Sequence, residues 1–268
     1  VIIGVEDGAN NSYCDLLFYV NASKTIEEPN DRPVITPDDG NEPEKPDVTE
    51  TKTGTLAFED IWPGGGDYDM NDVIVEYNRA VSFDKKNQVT KIVDTFTPVH
   101  DGAVFANAFA YQVDKGQFGK MTFSATTEGI HTESATSSII VCPNVKQAIQ
   151  KVYTITREFT GGSFNKKDLK SYNPYIIVKY AEGQKGRTEV HLPKHEATSL
   201  ADLSLAGTQK DAYYIDKEGA YPFAIDIPIL NFISVTEKKS IDTEYPNFKA
   251  WADSKGEKYT DWYNNHVN

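Results

Sequence analysis

The sequence predicts an all-β fold: an antiparallel β-sandwich of jelly-roll type with a few short helices, one of them near the C-terminus. Two observations carry this. Short runs rich in β-branched and aromatic residues recur along the chain, with glycine, proline and asparagine clusters between them. No long helical pattern separates the runs.

Residues 1–23 open on the apolar run VIIGV. Further on, Leu16, Phe18 and Val20 alternate with Asp15, Leu17 and Tyr19, so one face asks for a core. The segment reads as a strand or hairpin remnant of an upstream or companion module, and we expect its strand to add to the main sandwich. Residues 24–50, KTIEEPNDRPVITPDDGNEPEKPDVTE, are rich in Pro, Asp and Glu and hold too few apolar side chains to fold alone. They read as an acidic, Pro-rich linker or as a loop wrapped on a domain.

Residues 51–268 form the main predicted domain. Its strand signals include TLAFED, DVIVEY, GKMTFSAT, SSIIVC, KVYTITREF, NPYIIVKY, RTEVHL, PFAIDIP and NFISV. In DVIVEY, Val73, Val75 and Tyr77 alternate with Ile74 and Glu76. The helix is expected in TEYPNFKAWADSKG, with Pro246 in its first turn, Phe248, Trp251 and Ala252 on one face and Gly256 as a stop. A shorter one is expected around SLADLSL.

The 268 residues carry 27 Lys and Arg against 40 Asp and Glu, a formal net charge of −13. The isoelectric point is near 4.8 and the mean hydropathy −0.51. Such a surface argues against nucleic acid or an anionic membrane as partner, since both need a basic face. No apolar run approaches the ~20 residues that span a bilayer. An acidic excess does suit a divalent cation. Cys14 and Cys142 allow at most one internal disulfide and sit in no CxxC motif, so they read as small core residues. Without an initiator Met or a signal sequence, the chain reads as a processed or truncated piece of something longer.

The stretch GGGDYDMNDVIVEY concentrates Asp67, Asp69, Asn71 and Asp72 behind glycines 64–66. Three carboxylates so close repel unless a cation neutralises them. Calcium prefers ~6–8 oxygen ligands, and the D-x-D-x-N spacing turns alternate side chains toward one point. Asp67, Asp69 and Asn71 match the start of an EF-hand loop. Asp72 then replaces the turn glycine, Asn78 replaces the bidentate Glu, and a strand follows in place of a helix. A solvated turn whose Asp and Asn side chains cap their own backbone would use the same residues. Glu59 and Asp60 favour the ion, since a hairpin returns them toward the same end of the sheet. An internal echo, IIGVEDGANNSYCDLLFYV, aligns Glu6, Asp7 and Asp15 with Glu59, Asp60 and Asp72 as a degenerate second site.

Other motifs carry less. His191 and His195 in EVHLPKHE lack a third zinc ligand. Ser163 in TGGSF is not in a nucleophile elbow. Carboxylate pairs are too many to single out a glycosidase pair. Sugars could stack on some of the 15 Tyr and 3 Trp, but a sandwich core uses the same residues. No catalytic residues are expected.

The string LAFEDIWPGGGDYDMNDVIVEY resembles the opening of the LruC-type domain, a domain of unknown function in bacterial exported lipoproteins. GAVFANAFAYQV from Gly102, NPYIIV from Asn173, EVHLP from Glu189, PFAIDIP from Pro222 and FKAWADSKGEKYTDWY from Phe248 follow in the same order. The resemblance covers residues 51–268, and residues 1–20 resemble the tail of a related Asp-rich module. It implies an extracytoplasmic location, as an outer-membrane lipoprotein or in the periplasm or at the cell surface, and no known enzymatic activity. The expectation is a non-enzymatic, calcium-stabilised β-sandwich for adhesion or envelope structure, with an unknown protein or glycan as partner. The alternative is a glycan-binding module, and a hydrolase comes third.

Overall fold

The computed structural model describes residues 2–5, 16–19, 48–159, 164–170, 172–183 and 186–267. It divides into two units, Val1–Glu44 and Lys45–Asn268. In the first, β1 (Ile2–Val5) pairs antiparallel with β2 (Leu16–Tyr19). The strand expected at Leu16 is present. Its hydrogen-bonded neighbour is β1. Glu6, Asp7, Asp15, Cys14 and residues 24–47 of the predicted linker lie outside the described residues.

The second unit is the expected antiparallel sandwich. Its strands are β3 (Val48–Phe58), β4 (Val73–Phe83), β5 (Val89–His100), β6 (Ala108–Gln112), β7 (Met121–Ala125), β8 (His131–Glu133), β9 (Ser138–Cys142), β10 (Tyr153–Phe159), β11 (Asn173–Ile177), β12 (Glu189–His191) and β13 (Ala224–Ile227). They form a six-stranded sheet, β13-β3-β4-β5-β10-β7, and a five-stranded sheet, β12-β11-β6-β9-β8. β3 and β4 pair in register from Val48↔Phe83 to Phe58↔Val73, which brings both ends of the acidic turn together.

Alternation decides what each strand buries. Leu56, Val75, Phe96 and Ile155 of the larger sheet face Phe109, Tyr111, Ile139 and Val190 of the smaller one in a single core. Phe96 meets Phe109 edge-on with ring centroids 5.1 Å apart. Burying each such side chain contributes about 1.5–3 kcal/mol. The intervening residues Ala57, Ile74, Ile225 and Ile227 point to the opposite face. There Phe232, Ile241, Tyr245, Phe248 and Trp262 cover them. This C-terminal layer explains why VIV in β4 is apolar without interruption: both faces of the strand are covered.

The expected C-terminal helix is α2 (Phe248–Asp253), with Gly256 beyond its end at φ +83°. Pro246 precedes the helix and is not in its first turn, since Asn247 stands at the N-cap and the helix starts at Phe248. SLADLSL yields a 3-10 turn at Leu203–Leu205, and a one-turn helix, α1 (Lys115–Phe118), stands where no helix was expected. NFISV is not a strand. Asn231 has φ +56°, and Phe232 and Val235 pack into the C-terminal layer without a strand neighbour.

Candidate metal centre

Glu59 is the first residue after β3, and the turn from there to β4 carries the acidic string. Tyr68 and Met70 adopt left-handed backbone, φ +57° and +55°. These inversions sit between Asp67, Asp69 and Asn71 and reorient successive side chains. The outcome is selective. Carboxylate oxygens of Glu59, Asp67 and Asp69 lie within 4.8 Å of one another, the one such trio among the described residues.

Glu59 is 1% exposed. Its Oε1 accepts the N–H of Met70 at 2.6 Å. Its Oε2 is buried and has no hydrogen-bond partner among the described residues. A Cβ at Gly66 would sit 2.4 Å from that same oxygen, so only glycine leaves the space open. Asp69 accepts from the N–H of Asn71 at 3.2 Å and of Lys238 at 2.9 Å, which ties the turn to the C-terminal layer. Asp67 is exposed and gives the trio its opening to solvent.

The remaining expected ligands make other contacts. Asp60 and Asp72 form their own pair: the N–H of Asp60 donates to Asp72 Oδ2 at 2.7 Å, and Asn107 donates to Asp60 Oδ2 at 2.7 Å. Asn71 donates to the carbonyl of Val235 at 3.2 Å, while its Oδ1 is buried beside Gly102. Of the two acids expected to close the shell, Glu59 joins the carboxylate trio and Asp60 pairs with Asp72.

Burial first, then the charges of Asp72, Asp69 and Asp67, push the Glu59 carboxyl well above its usual range. Burial raises Asp69 as well. Burial and the neighbouring Asp60 push Asp72 up to about 8. A buried acid in this state holds a proton or yields it to a cation. The donors are all oxygen, one of them a buried carboxylate oxygen with no other partner. That set fits a hard ion such as calcium, with Glu59, Asp67 and Asp69 holding it and water or backbone carbonyls completing the shell.

The weaker motifs find ordinary uses. The two nitrogens of His191 lie 2.9 Å from Glu189 Oε2 and 2.8 Å from Asn173 Oδ1, and its ring stacks on Tyr175. His195 lies on the wall of a surface groove. Cys142 is free and buried. Ser163 lies outside the described residues. Sequence reasoning missed a buried charge cluster between the sheets. Asp94 takes Arg79 Nε at 2.6 Å, Arg157 Nη2 at 2.9 Å and the Tyr111 hydroxyl at 3.0 Å. Its only sequence signal is polar residues on the inward phase of β4, β5 and β10.

Residues 87–263 match the family described as a domain of unknown function, DUF4842. The chain belongs to the DUF4842 family. The DUF4842 match begins after the acidic turn, so the trio lies outside it and Lys238, the backbone anchor of Asp69, lies inside. In three dimensions the chain is similar to the crystal structure of a "Putative lipoprotein from Bacteroides ovatus", at 17% identity over 82% of this chain and 75% of that one, with a TM-score of 0.58. At that identity the likeness concerns the fold. None of the curated proteins compared with the chain matches it.

Proposed function

We propose that this DUF4842 protein is a non-enzymatic β-sandwich that binds a calcium ion and works outside the cytoplasm, in adhesion or envelope structure. One observation carries the ion: Glu59 Oε2, buried without a partner beside two further carboxylates, in a space that a side chain at residue 66 would fill. The location is supported by the resemblance to LruC-type lipoprotein domains and by the fold shared with the Bacteroides ovatus protein. A non-enzymatic role is supported by the use of the most buried charged groups. Asp94 pairs with Arg157 between the sheets, and Glu189 pairs with Arg187 and His191 on the opposite face of the smaller sheet.

The test is calorimetry on EDTA-stripped protein. A ligand that binds only the folded state stabilises it by about 2.7 kcal/mol at a hundredfold excess over Kd. Calcium at millimolar level should raise Tm by several degrees and EDTA should reverse it. Asp67→Ala should remove the response while leaving the stripped protein's Tm in place, because Asp67 is exposed. No shift with calcium would reduce the turn to a self-capped hairpin end. Glycoside, ester and peptide substrates should give no turnover; hydrolysis abolished by a carboxylate substitution would overturn the non-enzymatic reading. A second reading, a glycan-binding module, is favoured by one specific feature, an exposed tyrosine on the wall of a groove.

A further inference from the structure

The groove in question, about 660 Å³, is lined by Trp62, His195, Glu196, Leu203, Asp211 and Tyr213 among others. That volume lies in the ordinary range of ligand sites, ~300–1,000 Å³. One wall is a tight chain reversal. Asp211 and Asp216 form an antiparallel bridge, and the N–H of Ala212 donates to the carbonyl of Ile215 at 2.7 Å. Tyr213 and Tyr214 are left at the tip with φ +59° and +64°. Reversals with two left-handed residues select Asn-Gly, because a Cβ is unfavourable there. Among the described residues, no other two consecutive non-glycine residues both have positive φ.

Asp211 enforces this conformation. It is fully buried, and it accepts the Trp62 indole N–H, the Tyr214 N–H and the Gly207 N–H, each at 2.7 Å. The consequence is a division between the tyrosines. Tyr214 goes inward, with ring centroids 4.9 Å from Trp62 and 5.3 Å from His191. Tyr213 goes outward and is 73% exposed. Core packing accounts for Tyr214. It does not account for an exposed tyrosine held on a strained, hydrogen-bonded mount. Strain kept at a surface site points to function.

We infer that Tyr213 is the stacking platform of a saccharide-binding groove, and that the ligand is an uncharged oligosaccharide. This deepens the glycan-binding reading and uses none of the carboxylates of the ion site. A pyranose presents an apolar C–H face and an edge of hydroxyls. Tyr213 offers a flat, solvent-facing ring, and a tyrosine loses little rotamer freedom on binding. Lys194, His195 and Glu196 supply donors and acceptors along the same groove. The Asp211 carboxylate is buried and occupied by N–H donors, and the exposed Lys194 and Glu196 charges are of opposite sign, so the groove suits a neutral ligand better than a polyanion or polycation. Lys194 is itself held in left-handed backbone, φ +69°.

The experiment is isothermal titration calorimetry of the full chain against cellohexaose, xylohexaose, mannohexaose and chitohexaose, with a proline-rich peptide as the competing class. Each is run in calcium and in EDTA, so that failure of the ion site and failure of the groove are read separately. At least one saccharide should bind, and Tyr213→Ala should weaken it about tenfold, the scale of one lost aromatic face. Tyr213→Trp should retain binding. Tyr213→Gly should lose binding yet raise Tm, because glycine relieves the left-handed position; that gain excludes misfolding as the cause. Silence of every saccharide at millimolar concentration, unchanged affinity in Tyr213→Ala, or binding of the peptide alone would overturn the assignment.

Discussion

At the scale of the residue, Gly66 and Glu59 define the proposed ion site more sharply than the aspartates do. The Cβ of Gly66→Ala would meet Glu59 Oε2 at 2.4 Å, so the variant should lose the calcium-dependent rise in Tm. Glu59→Gln tests the charge: burial raises the Glu59 carboxyl well above its usual range, so the amide should leave the stripped protein's Tm in place while the calcium response vanishes. A calcium shift of wild-type size in either variant places the ion elsewhere. Asp94 belongs to stability. It pairs with both Arg79 and Arg157, and Asp94→Asn would leave both guanidinium groups facing a neutral amide. Breaking a buried pair costs about 3–5 kcal/mol. For a unit of this size the Tm should fall on the order of 10 °C, measurable by calorimetry.

At the scale of the element, the acidic turn depends on parts distant in sequence. The register of β3 against β4 returns Glu59 to the turn, and the Lys238 N–H fixes Asp69. The C-terminal layer therefore supports the proposed ion site as well as the sheet. Trp262 is 3% exposed and packs edge-on against Phe248 at 4.8 Å and Tyr245 at 5.4 Å. Trp262→Ala should cost about 3–5 kcal/mol and weaken the calcium response with it, read by urea denaturation and calorimetry on one sample. A full loss of stability with calcium affinity unchanged would show the layer and the turn to be uncoupled. Sequence patterns found most strands because β-branched alternation is local. The signal is weakest at β5, where Asp94 and Pro98 interrupt the inward apolar phase. In the structure the inward Asp94 satisfies the same alternation as Ile92 and Phe96. NFISV misleads in the opposite way: its apolar residues serve the covering layer and not a sheet.

At the scale of the whole molecule, pH reports on the buried charges. The Arg79 and Arg157 guanidinium groups hold Asp94 below the ordinary carboxylate range against its burial, and His191 and Thr198 do the same for Glu189. A carboxylate with a depressed folded pKa contributes stability that is complete above its unfolded pKa, about 3.9 for Asp and 4.3 for Glu, and is lost as pH falls through the folded value. Urea midpoints should therefore fall steeply below about pH 4, and Asp94→Asn should flatten that limb. An acid limb unchanged in Asp94→Asn would assign it to other groups.

What the sequence by itself determined was local: an all-β chain, an acidic surface, a turn dense in oxygen ligands, and aromatic residues in excess of any helix. Those follow from periodicity, charge and spacing, each legible within a dozen residues. Tertiary structure decided the rest. It gathered the carboxylates of Glu59, Asp67 and Asp69, paired Asp60 with Asp72, and covered both faces of β4. It also sent Tyr214 into the core while leaving Tyr213 in solvent. The physical reason is that an oxygen becomes a ligand, and an aromatic ring a platform, only through burial and direction. Those are set by strand register and by loops that meet across more than a hundred residues of chain, as Trp62 meets Asp211.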